Sequence, residues 1–345
     1  SQAGVLLEGG PELIAELRRK TGRVVEEFDN NLRCGVPLEN NLSISFPQKP
    51  GRTDGTLIGV DGSQIVPDLH AEINFGLINL GAVIVQKGDP GPPQIKINSQ
   101  LLFENQLYTE TGMISELLFS LLRDLNERRW LADLAAENQA PVIALTDGPI
   151  ELWGSGRGEG WTDFKQSLDE YKQVLASLEK LDVTLCGYVD NPAANLVVRF
   201  LEVGLMEESQ LPNISREHPL RGVKDRILYG GLLKSGERSG VFRLQSRSAR
   251  DYPGGLGLHF FYLNVGLAGD PLVVRVEIPA WVADDDQMLK GIQAVLVHQC
   301  QILGGRTYPY LLHRSHEVAV VTMDEKRQLD NMITLEIQNR LGKLG

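Results

Sequence analysis

Leu57-Ile58-Gly59-Val60-Asp61-Gly62-Ser63-Gln64 and Val142-Ile143-Ala144-Leu145-Thr146-Asp147-Gly148 decide how this chain is read. In each, a short apolar run leads into an aspartate followed by glycine. A continuous apolar run of this length reads as a buried strand. Asp-Gly is also a strong turn dipeptide, and for either run alone the turn is the simpler reading. Two such acids at strand ends point to a shared metal site, and so to chemistry on phosphates.

Working outward, residues 5–35 read as one or two amphipathic helices, with Pro11 at a first turn and Leu13, Ile14 and Leu17 forming a stripe. That stripe is a candidate exposed contact for a second copy. Residues 36–55 are rich in turn residues and read as a loop or linker. After Leu57–Asp61, His70–Leu77 and Ala82–Gln86 read as two further strands joined by Ile78-Asn79-Leu80-Gly81, with Gln94–Ile97 continuing the meander. A long helix is expected from about Met113 to Asn138, a strand ending at Asp147, a helix over Thr162–Leu178, a strand over Val183–Val189 and a helix from Leu196 to Leu205. Three antiparallel strands followed by alternating helices and strands is the chain order of a ribonuclease-H-like α/β fold. In that fold the first and fourth strands are neighbours, which would bring Asp61 and Asp147 together. The second half reads as β-rich, then a helix over Asp286–Leu303, a loop from Arg306 to Val321 leading to a strand, and a terminal helix over Glu325–Leu341.

The 345 residues suit one elaborated domain or a core plus an insertion. With 42% hydrophobic and 23% charged residues, the composition is that of a soluble globule. No apolar run is long enough to cross a bilayer. The first residues lack the basic start and apolar core of a signal peptide. Cys34, Cys186 and Cys300 are far apart and odd in number, which fits a reducing cytoplasm rather than a disulfide or zinc framework. A net charge of −11 excludes coating nucleic acid through the global field. One stretch runs the other way. From Pro212 to Arg250 nine basic residues, among them Arg226, Arg238, Arg243 and Arg247, face three acids. A solvated basic face is the plainer account of it.

Phosphodiester hydrolysis needs an activated water and a stabilised leaving oxygen, and carboxylates holding divalent cations supply both. Mg²⁺ and Mn²⁺ favour oxygen ligands. Asp61, Glu127 and Asp147 are the candidate ligands, with Glu116 competing for the helix position. Arg123 shares a helical face with Glu127 and can pair with it or touch a phosphate. Near the C-terminus, Tyr308-Pro309-Tyr310-Leu311-Leu312-His313-Arg314-Ser315-His316-Glu317 concentrates polar chemistry, from which a histidine can serve as ligand or as general acid or base. His70, His218, His259 and His298 lack any grouping. No P-loop and no Gly-x-Ser-x-Gly elbow is present.

These residues together resemble the NurA nucleases of DNA end processing, from about Ile58 onward. Val60-Asp61-Gly62-Ser63-Gln64 with Pro67-Asp68-Leu69-His70 resembles the first motif, Arg123-Asp124-Leu125-Asn126-Glu127 the second, and Leu145-Thr146-Asp147-Gly148-Pro149-Ile150 with Glu151-Leu152-Trp153 the third. Gly187-Tyr188-Val189, Gly236-Glu237-Arg238-Ser239 and Arg275-Val276-Glu277-Ile278-Pro279 are similar to later family sections. Tyr308-Pro309 with Ser315-His316 resembles the last motif, although the family often has alanine where Ser315 stands. The spacing from Glu127 to Asp147 is about the family's, whereas Glu116 is too distant.

The resemblance implies catalytic positions for Asp61, Glu127, Asp147, Tyr308 and His316, with Asp61, Glu127, Asp147 and His316 on the metal. It implies Mn²⁺ as cofactor, with Mg²⁺ possible, a homodimer, and partnership with a HerA-like hexameric translocase in end resection at double-strand breaks. Arg123, Arg226, Arg238, Arg243 and Arg247 are the candidate DNA contacts. The implied division is an N-terminal helical segment and linker over 1–55 and a NurA-type domain over 56–345, with its core at about 56–205, a β-rich extension over 206–285 and the last motif region over 286–345. The expected activity is single-strand endonuclease and 5′–3′ exonuclease cleavage of DNA in the cytoplasm. Two rivals are a non-catalytic adaptor that docks a translocase and a metal-dependent phosphatase or nucleotidase.

Overall fold

The computed structural model describes residues 7–29, 31–51, 53–68, 74–109, 112–152, 161–304 and 308–341. In chain order it contains helix α1 (Pro11–Glu27), then strands β1 (Cys34–Pro37), β2 (Ser45–Phe46), β3 (Thr56–Ile65), β4 (Phe75–Gln86) and β5 (Gln94–Phe103). The short pair β6 (Tyr108–Thr109) and β7 (Gly112–Met113) follows, with helix α2 (Glu116–Glu137), strand β8 (Val142–Asp147), helix α3 (Trp161–Lys180) and strand β9 (Thr184–Val189). Next come helices α4 (Leu196–Leu205) and α5 (Asp225–Gly230) and strands β10 (Arg238–Ser239), β11 (Phe242–Gln245), β12 (Leu258–Asn264) and β13 (Val273–Pro279). Helices α6 (Ala280–Ala283), α7 (Asp286–Ile302), α8 (Tyr310–Ala319) and α9 (Met323–Leu341) complete the order.

Among the described residues, eleven strands form one mixed sheet whose main path is β1-β11-β12-β13-β9-β8-β3-β4-β5. The half β5-β4-β3-β8-β9 has the ribonuclease-H-like order expected from the sequence. β3 pairs with β8 in parallel from Thr56↔Val142 to Val60↔Thr146, so the strands carrying Asp61 and Asp147 are neighbours. Central parallel strands are covered on both faces, which is why these two runs do not alternate apolar and polar residues. On one face Ile58 and Val60 join Leu121 and Leu125 of α2. On the other, Ile143, Leu145 and Val83 join Leu296 of α7 and Leu311 of α8.

Helix α8 stands where the sequence suggested a loop leading to a strand. Its buried residues Leu311, Leu312, Ser315 and Ala319 fall on one helical face. It lies directly on β3 and β4. A Cβ on Gly81 would stand 2.6 Å from both Ser315 O and Ala319 N, and one on Gly59 would stand 2.9 Å from Leu311 Cγ. Ser63 Oγ and Asn79 Nδ2 both donate to Ala319 O, filling a carbonyl that the helix end leaves open.

The same docking explains a second difference. The strands expected over His70–Leu77 and Ala82–Gln86 are one strand, β4, and the third strand of the meander is β5. Asn79 and Gly81 look like a turn in sequence, yet they are the two positions that receive α8. Leu69, His70, Trp153 and Arg306 lie outside the described residues.

The stretch 36–55 is not all loop: β1 pairs with β11, and β2 with β10. Ile14 and Leu17 are buried, and a Cβ on Gly204 of α4 would stand 2.5 Å from Leu17 Cδ2. The stripe expected to be an exposed contact is therefore part of the core. Cys34, Cys186 and Cys300 are all buried. Among the described residues no helix is long and apolar enough to cross a membrane.

Candidate active site

β3 continues past its last pair with β8, and Asp61 is the first residue beyond it. Asp61 thus does not end its strand, and Asp61-Gly62 is not a turn. The pleat points Asp61 and Gly62 to opposite faces. Asp61 faces α8, where its Oδ2 lies 2.7 Å from His316 Nδ1. Gly62 faces α2, where an added Cβ would stand 2.5 Å from Glu127 Oε1. The glycine makes room for the Glu127 carboxylate.

Asp147 does end β8, and Gly148 turns the chain with φ 75°. Gly148 N–H donates to Tyr188 O at 2.9 Å, holding the turn against β9. The Tyr308 hydroxyl donates to the Asp147 carboxylate. Its ring stands edge-on to buried Tyr188, with centroids 5.6 Å apart. Packing around Asp147 pushes its carboxyl upward, nearby Asp61 pushes the same way, and the Tyr308 hydrogen bond opposes both. One side of Asp147 is nonetheless open to solvent.

Glu127 is only 7% exposed. Arg123 Nε lies 3.3 Å from its Oε1, one turn earlier on the same face, and Arg128 NH1 lies 3.6 Å from its Oε2. Burial pushes its carboxyl up to about 8, helped by Asp124 and Asp61 and opposed by Arg128 and Arg123. Glu116 is exposed at the first residue of α2, eleven residues and ~16 Å along the helix from Glu127. Where β8 stops, a cleft of about 280 Å³ opens, lined by Asp61, Arg123, Glu127, Arg128, Asp147 and Tyr171 among others. The three predicted carboxylates share this one cleft, with Tyr308 on Asp147 and His316 on Asp61.

The donor set fits a hard divalent cation: three carboxylates and an imidazole, of a kind that suits Mn²⁺ or Mg²⁺. The charge pattern fits too. Asp61 raises both Glu127 and Asp147, a crowding of negative charge that a cation in the cleft would relieve. Among the described residues no three His, Cys, Asp or Glu groups are placed to grip one ion as they stand. The fit therefore lies in the donors and the cleft rather than in a formed coordination shell.

The basic residues divide. Arg243 and Arg247 are exposed, and Arg226 bonds Asn191 at the surface. Arg238 is a correction: it is 3% exposed, and its guanidinium lies 4.1 Å from the Phe46 ring centroid. It is a core cation stacked on an aromatic ring, and no DNA backbone reaches it there. Two cleft residues escaped the sequence reading, Arg128 and Tyr171. On helices whose other positions include many charged and polar groups, nothing in sequence separates them from solvated neighbours.

The sequence matches the NurA domain family over residues 55–321. A comparison with curated proteins finds no match. Among solved structures, the NurA nuclease from Sulfolobus solfataricus superposes with a TM-score of 0.52 at 10% identity, covering 94% of each chain. The catalytic domain of human endonuclease V gives 0.36 at 11% identity, covering 95% of this chain and 100% of that one. Endonuclease V of Ciona intestinalis in complex with DNA gives 0.35 at 12% identity, covering 93% and 99%. Scores this low for the endonucleases carry no argument, whereas the Sulfolobus likeness supports the fold. The family match spans β3, α2, β8, α3 and α8, which surround the cleft, and the chain belongs to the NurA domain family of DNA nucleases.

Proposed function

We propose that this chain hydrolyses DNA phosphodiester bonds with a divalent cation, Mn²⁺ or Mg²⁺, held by Asp61, Glu127 and Asp147 with His316 beside them. The observation that carries this is the shared cleft: three carboxylates from two strands and a helix, brought together by the parallel pairing of β3 with β8. When bound, the cation supplies electrostatic stabilisation for the charge that builds on a phosphate during hydrolysis.

The chain's own residues do the rest. His316 is largely open to solvent and donates its Nδ1–H to the Asp61 carboxylate, which leaves Nε2 to take or give a proton and exchange it with bulk water. Tyr308 fixes the Asp147 carboxylate by donating to it. Arg123, part-buried at the cleft between Asp124 and Glu127, offers a guanidinium to a phosphate oxygen. Arg243 and Arg247 guide the strand over the surface, which would make binding salt-dependent.

The family resemblance supports further parts of the proposal: single-strand endonuclease and 5′–3′ exonuclease action at double-strand breaks, a HerA-like hexameric ATPase as partner, a homodimer, and a cytoplasmic setting. Against the adaptor reading stands the gathering of Glu127 with Asp61 and Asp147 in one cleft, where Asp61 raises both of the other carboxyls. The experiment is cleavage of labelled single- and double-stranded DNA by the purified chain with Mn²⁺, Mg²⁺ or EDTA, alone and with the translocase. Cutting that requires the metal is expected. Absence of cutting in every condition sinks the proposal, and release of phosphate from nucleotides alone would favour the phosphatase.

A further inference from the structure

We propose that Arg128 is a positioning residue that fixes Glu127 relative to Asp147, acting through Tyr171 and the loop that follows β8. This rests on the nuclease reading above.

Arg128 follows Glu127 on α2 and is 5% exposed. Its NH1 lies 3.6 Å from Glu127 Oε2, and its guanidinium hydrogen-bonds the Tyr171 hydroxyl. Tyr171, fully buried on α3, donates that hydroxyl to Ile150 O at 2.5 Å. Ile150 stands three residues beyond Asp147. The Ile150 N–H donates to Glu277 Oε2 on β13 at 3.0 Å, and Arg275 Nε donates to Glu277 Oε1 at 3.1 Å. Gly187 on β9 lets the loop lie this close, since a Cβ there would stand 2.5 Å from Gly148 O and 3.2 Å from Ile150 N. A line of buried polar contacts therefore joins the carboxylate delivered by α2 to the loop anchored by Asp147.

One feature of this line marks it as more than a satisfied core network. Among the described residues, Arg128 Nε and NH1 are buried with no hydrogen-bond partner. An unmet buried donor is destabilising, more so on a charged group, and needs a physical reason. Arg128 also lines the cleft beside Asp61, Glu127 and Asp147. NH1 faces Glu127, and closing the 3.6 Å gap locks that carboxylate in place when the cleft is filled. A planar guanidinium spans Glu127 and Tyr171 at once, which the single ammonium of lysine does not. That difference separates positioning from charge alone.

The test compares wild type, R128K, Y171F and the double variant in three measurements. These are Tm, Mn²⁺ affinity from the electron paramagnetic resonance signal of free Mn²⁺, and kcat on labelled single-stranded DNA. R128K and Y171F are each expected to lower kcat or Mn²⁺ affinity by ~10–100-fold, the range for groups that orient a ligand from behind. The double variant is expected to fall no further than the worse single one, because both act through one line of contacts. R128K that matches wild type in both affinity and kcat overturns the inference, as do single losses that multiply in the double variant. If R128K does not fold, Y171F and Glu277→Leu carry the test, and wild-type kcat in both overturns it. A wild type that neither binds Mn²⁺ nor cuts removes the nuclease reading and this inference together. A wild type that does both, with R128K unimpaired, removes the inference alone.

Discussion

His316 Nδ1 lies 2.7 Å from Asp61 Oδ2, joining residues 255 positions apart. The pair exists because α8 docks on the strand that carries Asp61. Its histidine is 61% exposed and its aspartate 14%, so one partner meets solvent while the other faces the cleft. His316→Ala is expected to lower the cleavage rate by ~10²–10⁴-fold, the usual contribution of a positioned acid or base. An exposed side chain contributes little to folding, so Tm should hardly move. Single-turnover cleavage beside thermal melting checks this, and a wild-type rate in the variant would remove His316 from the chemistry.

Gly81→Ala tests how that pair is held. The added Cβ would meet backbone, Ser315 O and Ala319 N at 2.6 Å, so α8 must lift from the sheet. Overpacking of this kind costs ~1–3 kcal/mol. We expect a lower denaturation midpoint and a loss of activity like that of His316→Ala, although residue 81 touches no substrate. An alanine variant with unchanged stability would show that α8 does not lie this close.

Much of the fold was legible because the two apolar runs that end near Asp61 and at Asp147 are central strands, short enough and flanked closely enough by glycine or proline to read as strands rather than buried helix. Strand order then placed the two acids side by side. Two of the differences share one physical cause, the docking of α8 on β4. Helix α8 hides in sequence because its exposed face carries His313, Arg314, His316 and Glu317, and its buried face includes Ser315. The strand beneath it was split in two because Asn79 and Gly81 are shaped for that helix. Burial of a charged residue leaves no mark on periodicity, so Arg128 stayed invisible and Arg238 was misplaced at the surface.

Glu127 predicts a pH dependence with a definite sign. Its carboxyl is pushed up to about 8 by burial, while a glutamate in the unfolded chain titrates at ~4.3. Between those values the metal-free folded protein keeps a proton that the unfolded chain has released. This group's contribution to stability is therefore fullest below the lower value, falls as pH rises, and is spent above about 8. Mn²⁺ needs the ionised carboxylate, so its affinity should move the other way, rising toward that pH and then levelling. Glu127→Gln should flatten both curves. Melting in EDTA and Mn²⁺ titration across the same pH series check this, and a wild-type slope in the variant contradicts it.

The basic residues can be sorted by salt. Arg243→Ala and Arg247→Ala should each reduce the slope of log K against log salt by about 1 if each meets one phosphate. Arg238→Ala should leave the slope alone and lower Tm instead, because it removes a buried cation stacked on Phe46. Fluorescence anisotropy on a single-stranded oligonucleotide separates the two behaviours, and a reduced slope for Arg238→Ala would mean that this side chain leaves the core to meet DNA.

The central claim is that Asp61 and Asp147 work as one metal-dependent site across the β3–β8 pair. Its most direct measurement is Mn²⁺-dependent cleavage of labelled single-stranded DNA by wild type, Asp61→Asn and Asp147→Asn, each shown folded by its melting curve. Cutting by the wild type that EDTA abolishes, and a loss of ~10³-fold or more in both variants, is the predicted result. A wild type that cuts equally well in EDTA, or an Asp61→Asn variant that cuts at the wild-type rate, would contradict it.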